Sequence, residues 1–241
     1  MKKRCFVVAG LCLALLSYGT SSCTSKSENA STQTVNTNEN DPLTDLKEGN
    51  LRFCNGQLSH NHQDVERIKE LSNGQHPKTV IITCSDSRVA PEIVFDQGLG
   101  DIFTIRTAGN VMSDYEEGSI EYAAEHLHSK LIVVMGHENC GAVTAMLEHA
   151  DTISSDDNAE ECDHITSIIK ALEDEEEAKD VLKRKTGDNL CDAMVRANIA
   201  HGVKQLRNSK PILSKLYESQ AIQIVGAIYH LDTGKVEFID I

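Results

Sequence analysis

The sequence predicts an α/β protein: a mostly parallel sheet of four or five strands, the last antiparallel, flanked by helices. Two uninterrupted apolar runs, "TVIITC" (79–84) and "LIVVMGH" (131–137), have the composition of strands buried on both faces. Around them apolar residues recur at helical spacing, and strands alternating with helices argue for a parallel sheet covered on both sides. The C-terminal "AIQIVGAIYHLDTGKVEFIDI" reads instead as two strands about Asp232-Thr233-Gly234, a hairpin.

In order along the chain, "LTDLKEGNLRFCNGQ" (43–57) carries Leu43, Leu46, Leu51 and Phe53 at roughly helical intervals. "HQDVERIKELSNGQ" (62–75) repeats the pattern through Val65, Ile68 and Leu71 and stops at Asn73-Gly74. The first strand follows, then a second within "DIFTIRTAGN" (101–110). "SIEYAAEHLHSK" (119–130) is a helix with Ile120, Ala123, Ala124 and Leu127 inward, leading into the third strand and at once into the helix "CGAVTAMLEHA". "NLCDAMVRANIAHGVKQLRN" (189–208) places Met194, Val195, Ile199, Val203 and Leu206 on one helical side. The acidic stretch between 151 and 188 reads as a solvated face.

Ahead of this domain (43–241) the chain has a different character. Lys2, Lys3 and Arg4 precede the apolar "CFVVAGLCLALL" (5–16), too short for a stable bilayer span, so residues 1–22 read as an export signal. Small residues lead to Cys23, resembling a bacterial lipoprotein signal in which that cysteine is lipidated, although Thr20 stands where an aliphatic residue is usual. Residues 23–42, rich in Ser, Thr and Asn, cannot bury enough to offset ordering entropy and read as a flexible linker. The expected location is the periplasm or cell envelope, with membrane contact only through a lipid on Cys23. The 241 residues carry a formal net charge of −14, a surface that repels phosphate backbones and excludes nucleic acid as a partner.

Ligands of open parallel sheets bind at the carboxyl ends of strands. Cys84 ends the first strand, with Asp86 and Arg88 directly behind it in "CSDSR" (84–88); His137 ends the third, with Cys140 three residues on in "GHENCGA" (136–142). Two thiolates and an imidazole suit tetrahedral Zn²⁺ and disfavour Mg²⁺ and Ca²⁺. A permanently closed structural site is a poor match, because Arg88 competes for Asp86, the fourth candidate.

These motifs, with "DIFTIRTAGN" (101–110) and "SIEYA" (119–123), resemble the β-class carbonic anhydrases in order and spacing over about residues 45–241. The resemblance implies a β-carbonic anhydrase-like fold and one Zn²⁺ per subunit on Cys84, His137 and Cys140. The fourth place would go to water or hydroxide, or to Asp86 in a closed form. It implies reversible hydration of carbon dioxide to bicarbonate, with Asp86 and Arg88 catalytic. It further implies a substrate pocket of Gln75, Phe103 and Tyr122 built from both subunits of a dimer, which in some members pairs into a tetramer. Some members bind bicarbonate at a second, inhibitory site through a tryptophan three residues before the first cysteine ligand; here that residue is Ile81 and the chain has no Trp. Two other readings compete: hydrolysis of carbonyl sulfide or carbon disulfide on the same fold, and a non-catalytic zinc-binding scaffold. Gln75, Phe103 and Tyr122 favour the hydratase, and the presence of both Asp86 and Arg88 tells against the scaffold. No proton shuttle is assigned among the other histidines, and buried free thiols are the default for Cys54, Cys162 and Cys191, although a Cys162–Cys191 disulfide is conceivable.

Overall fold

The first strand, β1 (Thr79–Cys84), is buried along its whole length and forms the middle of one half of the sheet. The computed structural model describes residues 41–153, 164–184 and 189–241. The expected export signal, Cys23, the linker up to residue 40, and Cys162 lie outside these residues. β1 pairs in parallel with β2 (Ile102–Thr107) on one side and β3 (Leu131–His137) on the other. β3 pairs in parallel with β4 (Gln223–Tyr229), and β5 (Val236–Ile239) closes the edge antiparallel to β4. The order is therefore β2-β1-β3-β4-β5, a mostly parallel five-stranded sheet with an antiparallel last strand.

Side chains alternate between the two faces, as a two-residue repeat requires. Val80, Ile82, Cys84, Ile132, Val134, Ile224 and Ile228 lie on one face, packed with α4 (Asp114–Glu125), α5 (Gly141–Ile153) and α8 (Leu190–Asn208). Ile81, Val133, Met135, Ala227 and Tyr229 lie on the other, under Leu46 of α1 (Pro42–Cys54) and Val94 of the short α3 (Pro91–Val94). α8 runs close over the sheet because two strand glycines leave room for Ile199: a Cβ at Gly136 would sit 2.9 Å from its Cδ1, and one at Gly226 would sit 2.8 Å from its Cγ2.

The helices depart from the periodicity reading in three places. α4 starts at Asp114, five residues before the expected start, because Glu116 accepts from the Ser113 backbone N–H at 2.8 Å in a capping box. On α2 (Val65–Leu71), Val65 and Ile68 are exposed and no residue is fully buried, so among the described residues most of its apolar stripe is uncovered. On α1, Leu51 is exposed and the neighbouring Asn50 points inward. Its amide donates to the carbonyls of Val94 at 3.1 Å and Gly234 at 2.8 Å and accepts from Val236 N–H at 2.9 Å, tying α1 to the hairpin.

The acidic segment is the clearest correction. Its described part is not simply a solvated face, since α6 (His164–Asp174) and α7 (Glu176–Arg184) press Ile169, Leu172 and Ala178 into the core; 154–163 and 185–188 lie outside the described residues. Glu175, between them, is itself buried. The charges that dominate the composition sit on the outer sides of these helices, while a few apolar residues at helical spacing fix the inner side. A further short helix, α9 (Leu213–Glu218), precedes β4. Among the described residues no helix is long and apolar enough to cross a membrane.

Candidate metal centre

The sheet order puts β1 and β3 side by side while the chain leaves β1 for β2 on the opposite flank. The carboxyl ends of β1 and β3 therefore border the switch point where open α/β sheets form their crevice. Cys84 and His137 are the last residues of those two strands, and Cys140 immediately precedes α5. The sulfurs of Cys84 and Cys140 are 4.0 Å apart. These two and a ring nitrogen of His137 all lie within 4.8 Å of one another and all three residues are buried.

The donor set has the chemistry of a metal site. His137 Nδ1 lies 2.8 Å from the backbone carbonyl of Glu138, which fixes the proton on Nδ1 and leaves the Nε2 lone pair free. Nε2 is fully buried with no hydrogen-bond partner among the described residues, an orphan that a cation would satisfy. The Cys84 thiol is held far below the usual thiol range, first by the Cys140 S–H it accepts, against burial, with help from His137 and the backbone amides of Asp86 and Gly109. The same contact pushes Cys140 up, so the pair shares one proton. Burial would keep the His137 imidazole neutral, but the adjacent Cys84 sulfur outweighs it and raises the pKa. Two sulfurs and an imidazole, with the Cys84 sulfur primed to lose its proton, fit a thiophilic tetrahedral ion such as zinc.

The backbone around the sulfurs is built for close approach. Gly109 has φ +65° and donates its N–H to Cys84 Sγ at 3.4 Å. A Cβ there would lie 3.0 Å from that of Ala142, so both the conformation and the space call for glycine. Asn198 of α8 holds the turn by donating to the Gly109 carbonyl at 2.8 Å.

Asp86 stands beside this cluster, with Oδ2 3.9 Å from His137 Nε2. Arg88 grips it in a fork, Nε to Oδ1 at 2.9 Å and Nη2 to Oδ2 at 2.7 Å, and the Arg88 backbone N–H adds a third bond to Oδ1 at 2.9 Å. This holds the Asp86 carboxyl well below the usual carboxylate range, the Arg88 hydrogen bond being the largest cause. Arg106, which sequence reasoning did not single out, donates to the carbonyls of Cys84 at 3.2 Å and Asp86 at 2.6 Å and so fixes the loop. Its only signal was a charged residue near the end of a strand.

The other candidates lie elsewhere in the chain. Phe103 is the register partner of Val80 and Thr107 that of Cys84. Phe103 is therefore four residues, about 13 Å at the strand rise, back from the sulfurs. Gln75 is exposed and lies before the opposite end of β1, and Tyr122 is half exposed on α4, its ring 5.4 Å from that of His126. Cys54 and Cys191 are free and partly buried.

Comparison with known proteins bears on this geometry. The carbonic anhydrase family profile matches residues 79–236. A carbonic anhydrase of Mycolicibacterium smegmatis is 39% identical over 192 residues, which cover 80% of this chain and 89% of that protein. Carbonic anhydrase 2 of Mycobacterium tuberculosis is 38% identical, covering 79% of this chain and 87% of its own length. Among solved structures, the β-carbonic anhydrase CcaA aligns with a TM-score of 0.63 at 28% identity, covering 83% of this chain and 96% of its own. The same fold recurs in one of two tetrameric β-carbonic anhydrases of Sordaria macrospora, at a TM-score of 0.62 and 22% identity, covering 80% and 94%.

Proposed function

The chain belongs to the β-carbonic anhydrase family, and on that premise we propose that it hydrates carbon dioxide reversibly to bicarbonate and a proton, with one zinc ion per subunit on Cys84, His137 and Cys140. The buried cluster of two sulfurs and an orphaned ring nitrogen carries this reading. Zinc held there would acidify water and so supply a hydroxide nucleophile. Carbon dioxide is small and uncharged, so the protein has little to grip and must instead position the attacking oxygen.

Asp86 is suited to that task. Ionised and anchored by both oxygens, it accepts hydrogen bonds and donates none. A water or hydroxide beside Oδ2 turns its proton to the carboxylate and its lone pair away, toward the substrate carbon. Arg88 keeps the carboxylate from swinging onto the cluster and becoming a fourth ligand. Arg106 holds the backbone of the same loop.

The positions of Gln75, Phe103 and Tyr122 support a pocket shared between subunits. Within one chain they cannot line the space beside Cys84, but the same residues of a second copy can, with Gln75 donating to an oxygen of the forming bicarbonate. The exposed stripe of α2 and the half-exposed Tyr122 are consistent with self-association as a dimer or tetramer. Export through residues 1–22, with lipidation at Cys23, belongs to the same reading on sequence grounds alone.

Stopped-flow CO₂ hydration on zinc-loaded protein, repeated on Cys140→Ser, is the test. Wild type should be active with one zinc per chain, and the variant should lose both metal and activity. Activity that survives the substitution removes Cys140 from the ligand set.

A further inference from the structure

Glu138 lies between the ligand positions His137 and Cys140, and all its polar groups are committed. Its backbone N–H donates to the Tyr229 carbonyl at 3.2 Å, and its carbonyl lies 2.8 Å from His137 Nδ1. Its carboxylate reaches across to the β4–β5 turn, with Oε1 2.7 Å from His230 Nδ1 and Oε2 accepting from Leu231 N–H at 3.2 Å. That turn is a fixed post. His230 and Lys235 are bonded through the backbone at 2.9 Å, and Asn50 grips Gly234 and Val236 from α1. The loop needs such a post, because Asn139 has φ +50°, a left-handed conformation that non-glycine residues hold only when their surroundings enforce it.

We infer that Glu138 is a positioning residue for the metal: its carboxylate, clamped to His230 and Leu231, fixes the carbonyl that sets the proton and the aim of the His137 ring. A nitrogen ligand binds only along its lone pair, and the partner on the other ring nitrogen decides where that lone pair points. A Glu138 carbonyl free to rotate leaves His137 with two tautomers and a range of tilts, of which one binds. The clamp therefore acts on metal affinity ahead of any effect on turnover. The second ring nitrogen of His230 lies 3.4 Å from Glu237 Oε2, and Glu237 is itself paired with Arg196 on the surface.

This inference rests on the assignment of Cys84, His137 and Cys140 as ligands, and its test separates the two. Zinc affinity is measured by competition with a chromophoric chelator for wild type, Glu138→Ala, Glu138→Gln, His230→Ala, the double variant Glu138→Ala/His230→Ala, and Glu237→Ala. The visible spectrum of each cobalt(II)-loaded protein reports ligand geometry. Glu138→Ala should bind zinc roughly 10- to 100-fold more weakly, the range for losing a group that orients a metal ligand, with a changed cobalt spectrum. Glu138→Gln, whose amide oxygen still accepts from Leu231, should recover part of the loss. The double variant should lose no more than the worse single one, because both remove the same clamp. Glu237→Ala should stay within about twofold of wild type, a general surface-charge effect being the alternative. Unchanged affinity in Glu138→Ala overturns the inference, as does an equal loss in Glu237→Ala. Should Glu138→Ala fail to fold, Glu138→Gln and His230→Ala decide it, since wild-type affinity in both also overturns it. A wild-type protein that binds no stoichiometric zinc instead removes the ligand assignment itself.

Discussion

Arg88 binds Asp86 through two parallel hydrogen bonds, 2.9 Å and 2.7 Å, two residues apart in sequence and at the rim of a buried two-sulfur, one-nitrogen cluster. Both Asp86 oxygens are held, so the carboxylate stays ionised and points at the cluster without closing it. Replacing Arg88 by alanine should let Asp86 swing inward. The variant should keep its zinc and lose roughly 10²-fold in CO₂ hydration, the scale of an ångström-sized misplacement. Stopped-flow rates alongside elemental analysis check this, and a metal-replete, fully active Arg88→Ala contradicts it.

The pH profile follows from the ligand set. Two thiolates formally cancel the charge of a divalent ion, so its acidifying effect on water is weaker than with three neutral imidazoles. Asp86, depressed below the carboxylate range, adds no titration of its own above acidic pH. Hydration by the zinc-loaded protein should therefore rise through the alkaline range. A flat profile from mildly acidic to alkaline pH counts against two sulfur ligands.

Asn50 should matter far more to stability than its polar character suggests. Asn50→Leu leaves the Val94 and Gly234 carbonyls and the Val236 N–H without their partner, at a cost of about 1–3 kcal/mol for each group that stays buried. Urea unfolding should show a loss of about 3 kcal/mol or more. An unchanged midpoint would mean that water replaces the amide.

Glu175 should make the protein less stable as pH rises. Burial, with the Glu177 charge adding, pushes its carboxyl up to about 8, and Oε2 has no hydrogen-bond partner among the described residues. The folded state thus holds a proton that the unfolded chain releases at the ordinary carboxylate pKa. Between those two values the folded state binds more protons, so stability falls with pH. Glu175→Gln removes the titration and should stabilise by up to about 3 kcal/mol at pH 7. The difference should vanish below the ordinary carboxylate range; parallel urea midpoints for both proteins across pH would refute it.

Much of the fold and site was legible because the relevant signals are local. Buried parallel strands need continuous β-branched apolar runs, and 79–84 and 131–137 are such runs, with observed bounds matching those read from sequence. Cys84 and His137 end two of these runs and Cys140 follows three residues on, and the fold brings all three together.

What the chain could not declare is which local segments become neighbours. Asn50 meets Val236 across 186 positions and Glu138 meets His230 across 92, and no periodicity encodes either partnership. Charge dominates the composition of residues 151–188, yet Ile169, Leu172, Ala178 and even Glu175 are buried, because a few inward side chains decide how a helix docks. Val65 and Ile68 have the right spacing for a core and face outward, because among the described residues nothing covers them. The sequence by itself thus determined the strands, the candidate ligand residues and the family. Only tertiary structure decided the β2-β1-β3 order that brings two strand ends together and the reach of Glu138 to His230. Those outcomes depend on packing summed over the whole chain, whereas a motif depends on a few adjacent residues.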